Sequence, residues 1–238
     1  MFKVAIFSDI HGNQEALESI LSSIEKEEYD EIICLGDVIG LGPSPRECLD
    51  IIRNNNIKMV LGNHERYYLN GVHNEQKMSE EEKEYHRWVR DFLGNDFEDF
   101  LSKKDIDITI TVDDKKIGFM HYPFDRVTEN FYSPRVLTED NVKLLFRNYT
   151  NQFNFFGHSH SEQFFKDSND FVYVNVGSSG CTNNDITSYT VLEYDGKDYK
   201  VYKKKCIYDR DKFLEKLKQI NFPEKKNIVK VYFGVDIW

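Results

Sequence analysis

Seven side chains spread over most of the chain carry the oxygen and nitrogen donors that a pair of metal ions requires. Imidazole nitrogens suit transition metals, whereas carboxylate and amide oxygens suit harder cations. The mixed set therefore favours Mn, Fe, Zn or Co over calcium, and cysteine is absent from every cluster. The seven residues are Asp9, His11, Asp37, Asn63, His121, His158 and His160.

Each donor group comes just after a short apolar run, and this arrangement occurs five times along the chain. Strands that end at one edge of a sheet bring loops distant in sequence together, which is where α/β proteins usually build their sites. The pattern therefore predicts that all seven donors meet at one edge. The five runs are KVAIF, EIICL, IKMVL, IGFM and FNFF.

The order of the donors predicts two half-sites that share one residue. Asp37 stands near the centre of the set and has two carboxylate oxygens, so it is the expected bridge between ions roughly 3.5–4 Å apart. His160 would complete the shell of one ion together with Asp9 and His11. The other ion would be held by Asn63, His121 and His158.

Each cluster taken alone has a structural alternative. Gly36-Asp37 with its neighbouring glycines fits a simple turn, and Gly62-Asn63-His64-Glu65 fits a helix start with Asn63 as the N-cap. Gly157-His158-Ser159-His160 fits a polar turn. The alternatives together would require five independent turns to carry the right donors in the right order, so the metal interpretation is preferred.

The ordered motifs resemble those of the calcineurin-like metallophosphoesterase superfamily over residues 1 to about 180. Two further segments, Gly40-Leu41-Gly42-Pro43-Ser44-Pro45 and Val174-Asn175-Val176-Gly177-Ser178, resemble its small bacterial and archaeal branch. That branch includes YfcE-like phosphodiesterases and proteins related to diadenosine tetraphosphatases. The motifs are Asp9-x-His11, Gly36-Asp37-x-x-Gly40, Gly62-Asn63-His64-Glu65, His121 and Gly157-His158-x-His160.

The resemblance implies specific roles for these residues. One ion would be bound by Asp9, His11, Asp37 and His160, and the other by Asp37, Asn63, His121 and His158. The ions would be Mn²⁺ in the first instance, with Fe, Zn, Co or Ni as alternatives. His64 is implied to be the catalytic histidine, and a role in orienting its neighbours is the alternative. Glu65 is expected to cap the following helix or to hydrogen-bond His64, and Asn175 is expected to tether a donor loop.

The chain departs from the family pattern beside the expected site. It reads His121-Tyr122-Pro123-Phe124 where relatives often carry small residues, and Val176 stands where they carry proline. Neither change removes a ligand. Tyr122 and Phe124 are candidate substrate-binding residues that would narrow the pocket or offer a stacking surface, and plain packing is the alternative.

The composition fits one soluble domain of 238 residues, with 40% hydrophobic residues and a net charge of −10. This acidity argues against a protein that coats nucleic acid, because phosphate backbones are held by clustered Lys and Arg. No run approaches the roughly 18 apolar residues of a membrane span. Four scattered cysteines favour a reducing, cytoplasmic location. His73 and His86 lie outside any motif and are interpreted as surface residues.

The distribution of elements predicts an α/β fold. The first half alternates strands 3–8, 31–35 and 57–61 with helices from Asn13 and from Ser44, the latter with a capping box to Glu47. A helical insertion spans 79–104 and opens with a second capping box, from Ser79 to Glu82. Its aromatic residues Tyr85, Trp88 and Phe92 are predicted to form part of a lid or wall of the site, with core packing as the alternative. The second half is rich in strands, with hairpin turns at Asp113-Asp114 and Asp195-Gly196. The resemblance implies a four-layer αββα sandwich of two mixed sheets. The apolar tail at 224–238 would add an edge strand or meet a second subunit in a homo-oligomer.

Three functions remain open at this point. The first is hydrolysis of a phosphodiester or nucleotide pyrophosphate bond by a metal-bridging hydroxide at a dinuclear centre. The second is a phosphomonoesterase that acts on a phosphoprotein or a small metabolite. The third is a non-catalytic scaffold on the same fold, like the retromer subunit, which the complete ligand set argues against. The expected partner is a phosphorylated small molecule or nucleotide.

Overall fold

The computed structural model of the chain describes residues 1–72, 78–132 and 136–236. Its strands are β1 (Phe2–Phe7), β2 (Glu31–Cys34), β3 (Lys58–Met59), β4 (Asp107–Val112), β5 (Lys115–Met120), β6 (Phe124–Asp125), β7 (Asn130–Phe131), β8 (Phe153–Phe156), β9 (Glu162–Lys166), β10 (Val172–Val176), β11 (Ile186–Tyr194) and β12 (Tyr199–Ile207). Its helices are α1 (Gln14–Ile24), α2 (Pro45–Asn54), α3 (Asn63–Asn70), α4 (Glu80–Leu93), α5 (Glu98–Leu101), α6 (Glu139–Leu145), α7 (Arg210–Gln219) and α8 (Lys225–Phe233). None of these helices has both the length and the apolar character needed to cross a bilayer.

The first sheet has the strand order β12-β11-β1-β2-β3. Strands β1, β2 and β3 are parallel and are connected through α1 and α2, which confirms the predicted βαβαβ unit. Helix α1 begins at Asn13, whose Oδ1 accepts a hydrogen bond from the Ala16 amide at 3.0 Å. Its apolar face is buried against the sheet, as its spacing predicts.

The second sheet has the strand order β4-β5-β8-β10-β9. Strands β5, β8 and β10 are parallel, whereas β4 and β9 pair antiparallel at the two edges. The predicted hairpin turns after Val112 and Tyr194 are both confirmed. In each sheet, three parallel strands thus deliver their carboxyl ends to one edge.

Three apolar clusters divide the molecule into four layers. The middle cluster lies between the sheets and includes Ile6 and Leu35 from the first sheet and Phe119 and Phe155 from the second. A larger cluster joins the first sheet to its helices, and a third packs α6 on the second sheet. Helix–sheet–sheet–helix layering confirms the predicted fold of two mixed sheets flanked by helices.

The predicted insertion at 79–104 contains α4 and α5. Ser79 Oγ accepts a hydrogen bond from the Glu82 amide at 3.2 Å, and Glu82 Oε2 accepts one from the Ser79 amide at 2.8 Å, so the predicted capping box is confirmed. The apolar face of α4 packs into the core, where the ring of Trp88 stacks on Tyr85 and contacts Phe222. This packing agrees with the alternative in which the apolar face of α4 belongs to the core.

Three local predictions were wrong or incomplete. Ser44 is the N-cap of α2, but its side chain makes no capping hydrogen bond. The start of α3 was considered only as an alternative with Asn63 as the N-cap, whereas Gly62 is the N-cap and Asn63 is the first helical residue. The short β6–β7 pair was not predicted. The tail forms helix α8 rather than an edge strand, and it buries Val229 and Phe233 against the body of the protein. The last two residues of that tail lie outside the described range.

Candidate metal centre

The seven predicted donors lie together where the two sheets present their parallel strand ends. Each donor group follows the last residue of β1, β2, β3, β5 or β8 by a few positions at most. Five loops distant in sequence therefore meet at one point, as the repetition of apolar runs predicts. The structure brings together Asp9, His11, Asp37, Asn63, His121, His158 and His160.

The first half-site contains two imidazoles and two carboxylates. The Nε2 atoms of His11 and His160 are 3.0 Å apart. Asp9 Oδ1 lies 3.2 Å from His160 Nε2, and Asp37 Oδ2 lies 3.8 Å from His11 Nε2. Donor atoms bound at about 2.1 Å to one cation are about 3.0–3.4 Å apart from each other, so the two shorter separations fit a shared ion and the Asp37 oxygen lies slightly farther away.

The second half-site has an amide oxygen and two imidazoles. Asn63 Oδ1 is 3.0 Å from His121 Nε2 and 2.8 Å from His158 Nδ1. The two imidazole nitrogens are themselves 3.1 Å apart. Asp37 Oδ2 lies 3.3 Å from His121 Nε2, so its carboxylate faces both half-sites.

Two imidazole rings are oriented by hydrogen bonds through Nδ1, which turn the opposite nitrogen, Nε2, toward the centre. His11 Nδ1 donates to the Ile39 carbonyl at 3.1 Å, and His121 Nδ1 donates to the Leu35 carbonyl at 2.9 Å. Since a carbonyl only accepts, each Nδ1 carries a proton, and the Nε2 of the neutral His11 ring has a free lone pair. His121 is protonated beside Asp37 and would release the proton on its Nε2 if a cation were bound there.

One carboxylate oxygen in the centre has no hydrogen-bond donor among the described residues. Asp9 is fully buried, and its Oδ2 accepts a hydrogen bond from the His158 amide at 3.2 Å. Its Oδ1 accepts none and faces His11 and His160 instead. A buried carboxylate oxygen without a partner is costly, so this atom independently fits a site for a divalent cation.

The electrostatics of the centre favour positive charge. Burial lowers the pKa of His11 and of His158 to about 4, so both rings are neutral at neutral pH. Burial also opposes the charging of the other two rings, but the carboxylate beside each one raises the pKa of His121 to about 9 and that of His160 to about 11. The two carboxylates therefore attract cationic charge that divalent ions can supply.

The backbone of the donor loops is strained. Asp9, His11, Asp37, His158 and His160 all have φ between 49° and 71°. Non-glycine residues in this left-handed region cost roughly 1–2 kcal/mol each, and such conformations concentrate at functional sites. The fold thus retains five unfavourable conformations whose common effect is to aim donors at one point.

Glu65 holds two of the donor loops together. Its carboxylate accepts hydrogen bonds from the amides of Asp37, Val38, Ile39 and Gly62 at 2.8–3.2 Å. Burial, followed by repulsion from Asp37, raises the pKa of this carboxyl to about 7. The sequence suggested that Glu65 caps the following helix or bonds His64, and the structure shows the cap together with the bonds to the Asp37 loop.

Other loops are fixed by similar bonds and by glycine. Asn175 Nδ2 donates to the Gly157 carbonyl at 3.0 Å and to Ser159 Oγ at 2.8 Å, which confirms its predicted role in tethering a donor loop. A β-carbon at Gly157 would lie 2.4 Å from Asp9 Oδ2, too close for any side chain there. The close approach of these two loops therefore requires glycine.

His64 stands at the edge of the centre without a structural hydrogen bond through its ring. Its Nε2 lies 4.0 Å from Asp37 Oδ2, and its Nδ1 is buried with no partner among the described residues. Burial holds the pKa of His64 well below its usual range. Its backbone amide donates to Asp37 Oδ1 at 2.9 Å, so the ring position is coupled to the shared carboxylate.

Two residues near the centre were not predicted from the sequence. The sequence clusters contain no cysteine, yet the thiol sulfur of Cys181 and the ring nitrogens of His11 and His160 lie within 4.8 Å of one another. His86, which was expected at the surface, is only partly exposed, and its ring centroid lies 5.0 Å from that of His64. His73 lies outside the described residues.

The two candidate substrate-binding aromatics are buried. Tyr122 is 1% exposed, and its ring packs 4.9 Å from that of His158. Phe124 is 7% exposed and packs against Phe131 at 5.2 Å, with the Arg66 guanidinium over its ring. Their packing agrees with the structural alternative, and contact with substrate remains a prediction.

A row of five rings crosses the centre and reaches a groove at each end. The successive ring centroids are 5.0, 4.8, 4.9 and 5.6 Å apart, and the rings belong to His86, His64, His11, His160 and Tyr232. A groove of about 560 Å³ borders His86, between α3 and α4. A second groove of about 500 Å³ borders His160 and Tyr232, beside α8.

Comparison with known proteins gives consistent results. The profile of the calcineurin-like phosphoesterase superfamily domain matches residues 2–197. The protein MJ0912 of Methanocaldococcus jannaschii is 30% identical, over 93% of this chain and 94% of that one. A symmetrical bis(5'-nucleosyl)-tetraphosphatase of Haemophilus ducreyi is 37% identical over 67 residues, which are 27% of this chain and 25% of that protein.

The fold is also found among solved structures. The crystal structure of a metallophosphoesterase from Sphaerobacter thermophilus has a TM-score of 0.73 and covers 98% of this chain and 100% of its own. Its sequence is 20% identical. At this identity the likeness establishes the arrangement of the two sheets and their helices, and the chemistry has to be argued from the residues of this chain.

Proposed function

Because the chain belongs to the calcineurin-like phosphoesterase superfamily, we propose that it hydrolyses a phosphodiester or nucleotide pyrophosphate bond at a dinuclear metal centre. The observation that carries this proposal is the complete set of seven donors, arranged in two half-sites around one carboxylate. A scaffold protein on this fold would have no use for a buried set of converging lone pairs and strained donor loops. The intact set therefore favours catalysis.

The residues of the chain divide between the two ions. Asp9, His11 and His160 would hold one ion, and Asn63, His121 and His158 the other, with Asp37 shared. Such a pair of ions, when bound, polarises phosphoryl oxygens and activates the attacking water. Mn²⁺ suits this mixture of oxygen and nitrogen donors, and Fe, Zn, Co and Ni are alternatives.

His64 is the catalytic histidine in this proposal. Its ring lies against that of His11 at a centroid distance of 4.8 Å and is free of structural hydrogen bonds within the described residues. A ring in this position can stabilise the phosphoryl oxygens or give a proton to the leaving oxygen. Such a step is worth about 10²–10⁴-fold in rate.

The two grooves favour a substrate with a group on each side of the phosphate. A phosphodiester or a dinucleoside polyphosphate has two such groups, whereas a monoester has one. Three basic and two acidic side chains line the groove beside His86, so it has a small excess of positive charge in an otherwise acidic protein; they are Lys83, Arg87, Arg90, Glu80 and Asp91. The partial match to bis(5'-nucleosyl)-tetraphosphatases supports a nucleotide substrate with several phosphates.

A direct test compares three substrates with one preparation. The chain is stripped of metal with a chelator, reloaded with Mn²⁺ and assayed on bis(p-nitrophenyl) phosphate, p-nitrophenyl phosphate and diadenosine tetraphosphate. We expect faster turnover of the diester or the dinucleotide than of the monoester, and none without metal. Asp114→Asn, which removes an exposed carboxylate from the β4–β5 turn, should retain the wild-type rate.

The other outcomes separate the alternative functions. A clear preference for the monoester would replace this proposal with a phosphomonoesterase. Absence of turnover on all three substrates with Mn²⁺, Zn²⁺, Co²⁺, Ni²⁺ and Fe²⁺ would leave the scaffold function in its place.

A further inference from the structure

We propose that Cys181 is an additional ligand of the ion held by Asp9, His11 and His160, so that the two half-sites differ in chemical softness. This inference rests on the proposed metal centre and extends it. Its basis is geometric: the sulfur of Cys181 and the ring nitrogens of two ligands lie within 4.8 Å of one another. Sulfur and nitrogen bound to one zinc ion are about 3.6 Å apart in tetrahedral geometry. The sulfur and the imidazole nitrogens would therefore have to move at most about 1.2 Å closer together to bind one ion.

The loop that contains Cys181 is tied to the first donor loop. Ser178 Oγ donates to the Asp9 carbonyl at 2.7 Å and accepts from the Cys181 amide at 2.9 Å. The Gly180 amide donates to the same carbonyl at 3.0 Å. A β-carbon at Gly180 would lie 1.8 Å from the Ile10 carbonyl oxygen, so the backbones are in contact. These bonds fix the position of the Cys181 backbone relative to Asp9.

A second observation points to an ion at this position. Asp9 Oδ1 is fully buried, has no hydrogen-bond donor among the described residues and faces the same two imidazoles as the thiol. His160 Nε2 lies 3.2 Å from this oxygen and also faces the thiol, so that carboxylate, imidazole and thiol converge on one point. A cation between the sulfur and the carboxylate would satisfy both groups.

Ligation by sulfur would change which metal each half-site prefers. Cys181 would lose its proton to solvent when the ion binds, because the thiolate is the ligating form. Thiolate favours Zn and other softer ions, whereas carboxylate, amide and imidazole donors accept Mn. The half-site with Cys181 should therefore select Zn or Co over Mn, and the half-site with Asn63 should discriminate less. The two half-sites would therefore bind two different metals.

The test uses the absorption spectrum of the protein loaded with Co²⁺, which is independent of activity. Co²⁺ bound to thiolate gives a charge-transfer band in the near ultraviolet that oxygen and nitrogen ligands do not produce. We expect the wild-type chain to show this band, with saturation at one equivalent of Co²⁺ although two bind. Cys181→Ser should bind Co²⁺ and lack the band, and Cys206→Ser, a cysteine on β12, should retain it.

Alkylation provides a second measurement on the same proteins. Bound Zn²⁺ should protect Cys181 from iodoacetamide at least tenfold relative to the metal-free chain, as followed by mass spectrometry of the peptide. Binding of two Co²⁺ ions without the band, together with unprotected alkylation, would overturn the inference and leave the proposed phosphoesterase intact. Failure to bind Co²⁺ or Zn²⁺ at all would overturn both.

Discussion

Single residues in the centre carry a conformational cost that only a ligand explains. The five donors with positive φ each pay roughly 1–2 kcal/mol relative to ordinary backbone. Three of these side chains also make hydrogen bonds to the loops, from the His158 amide to Asp9, from the His64 amide to Asp37 and from His11 to the Ile39 carbonyl. Their remaining donor atoms face one another, which is the arrangement that the proposed ions would explain.

Asp37 is the residue whose loss should affect both ions. We expect Asp37→Ala to abolish hydrolysis and to lower bound metal from two ions per chain toward one or none, because its carboxylate faces His11 and His121 in different half-sites. Elemental analysis of the purified variant measures the metal content. A variant that kept two ions and wild-type turnover would refute the bridging assignment.

His64 should affect rate without affecting metal content. We expect His64→Ala to keep both ions and the fold and to lose turnover by about 10²–10⁴-fold. If the ring protonates the leaving oxygen, the loss should be smaller for a phenolate leaving group than for an alkoxide. Equal losses would indicate stabilisation of the phosphoryl oxygens, and an unchanged rate on both esters would exclude His64 from the mechanism.

The donors were predictable because each follows its own strand within a few residues. Cys181 and His86 were not, because their places depend on contacts between elements far apart in sequence. Cys181 arrives through a loop bonded to Asp9, and His86 arrives on a helix that packs against α3. Metal binding by any of these residues stays a prediction until it is measured.

At the scale of elements, the centre depends on helices that sit behind it. Tyr85 on α4 bonds through its hydroxyl to the Leu41 amide in the loop that follows Asp37. The same helix presents His86 toward His64 and buries Val89 on its other side. Helix α4 therefore supports the centre through packing, and a part in a lid or wall of the site stays a prediction.

Replacing Trp88 tests whether helix α4 only stabilises the fold or also helps to select the substrate. We expect Trp88→Ala to lower the free energy of unfolding by about 2–3 kcal/mol, near the lower end of the range for large core residues, because its ring is only partly buried. The ratio of rates on small and large substrates should not change. Urea unfolding and the two rates measure this, with Phe92→Ala, which is 41% exposed, as the milder control. A changed ratio in a stably folded Trp88→Ala would restore the lid interpretation.

The secondary-structure elements that have a clear local sequence pattern were the ones predicted best. The strands predicted at 3–8 and 31–35 from apolar runs agree with β1 and β2 within one residue at each end. Helix α3 was treated only as an alternative, since its residues have no clear apolar periodicity and its start is fixed by bonds from Glu65 to another loop. The apolar tail 224–238 was predicted to add an edge strand or to meet a second subunit, whereas Lys225–Phe233 form helix α8, whose Phe233 ring packs on Phe213 of α7.

At the scale of the molecule, one charged cluster connects three separate parts of the chain. The Glu27 carboxylate accepts hydrogen bonds from Lys204 on β12 and from Lys3 on β1, the latter at 2.8 Å. These bonds lower the pKa of Glu27 to about 2 from an ordinary value of 4.5. Because the folded pKa is the lower one, the stabilisation is complete above pH 4.5 and is lost as the pH falls toward 2.

The variant Glu27→Gln should therefore be less stable than wild type at pH 7 and equally stable near pH 2. The difference should also shrink in high salt, because the cluster is exposed to solvent and is screened. Urea unfolding across this pH range measures both effects, and Glu28→Gln is the neighbouring control. A difference that stayed constant with pH would show that the charge of Glu27 is not its source.

Removal of metal should destabilise the entire molecule, because the centre joins five loops from both sheets. A ligand whose concentration is about 100 times its dissociation constant stabilises the folded state by about 2.7 kcal/mol. In a chain of this size, each 1 kcal/mol of stability shifts Tm by roughly 2–4 °C. We therefore expect a chelator to lower Tm by about 5–10 °C for each ion removed. Asp37→Ala, which loses the shared carboxylate, should show a much smaller shift under the same treatment, and chelator already saturated with the same metal that the protein carries should leave the wild-type Tm unchanged. Equal melting of the loaded and stripped wild-type chain would mean that the converging donors bind no ion under those conditions, and that the strain in their loops serves some other purpose.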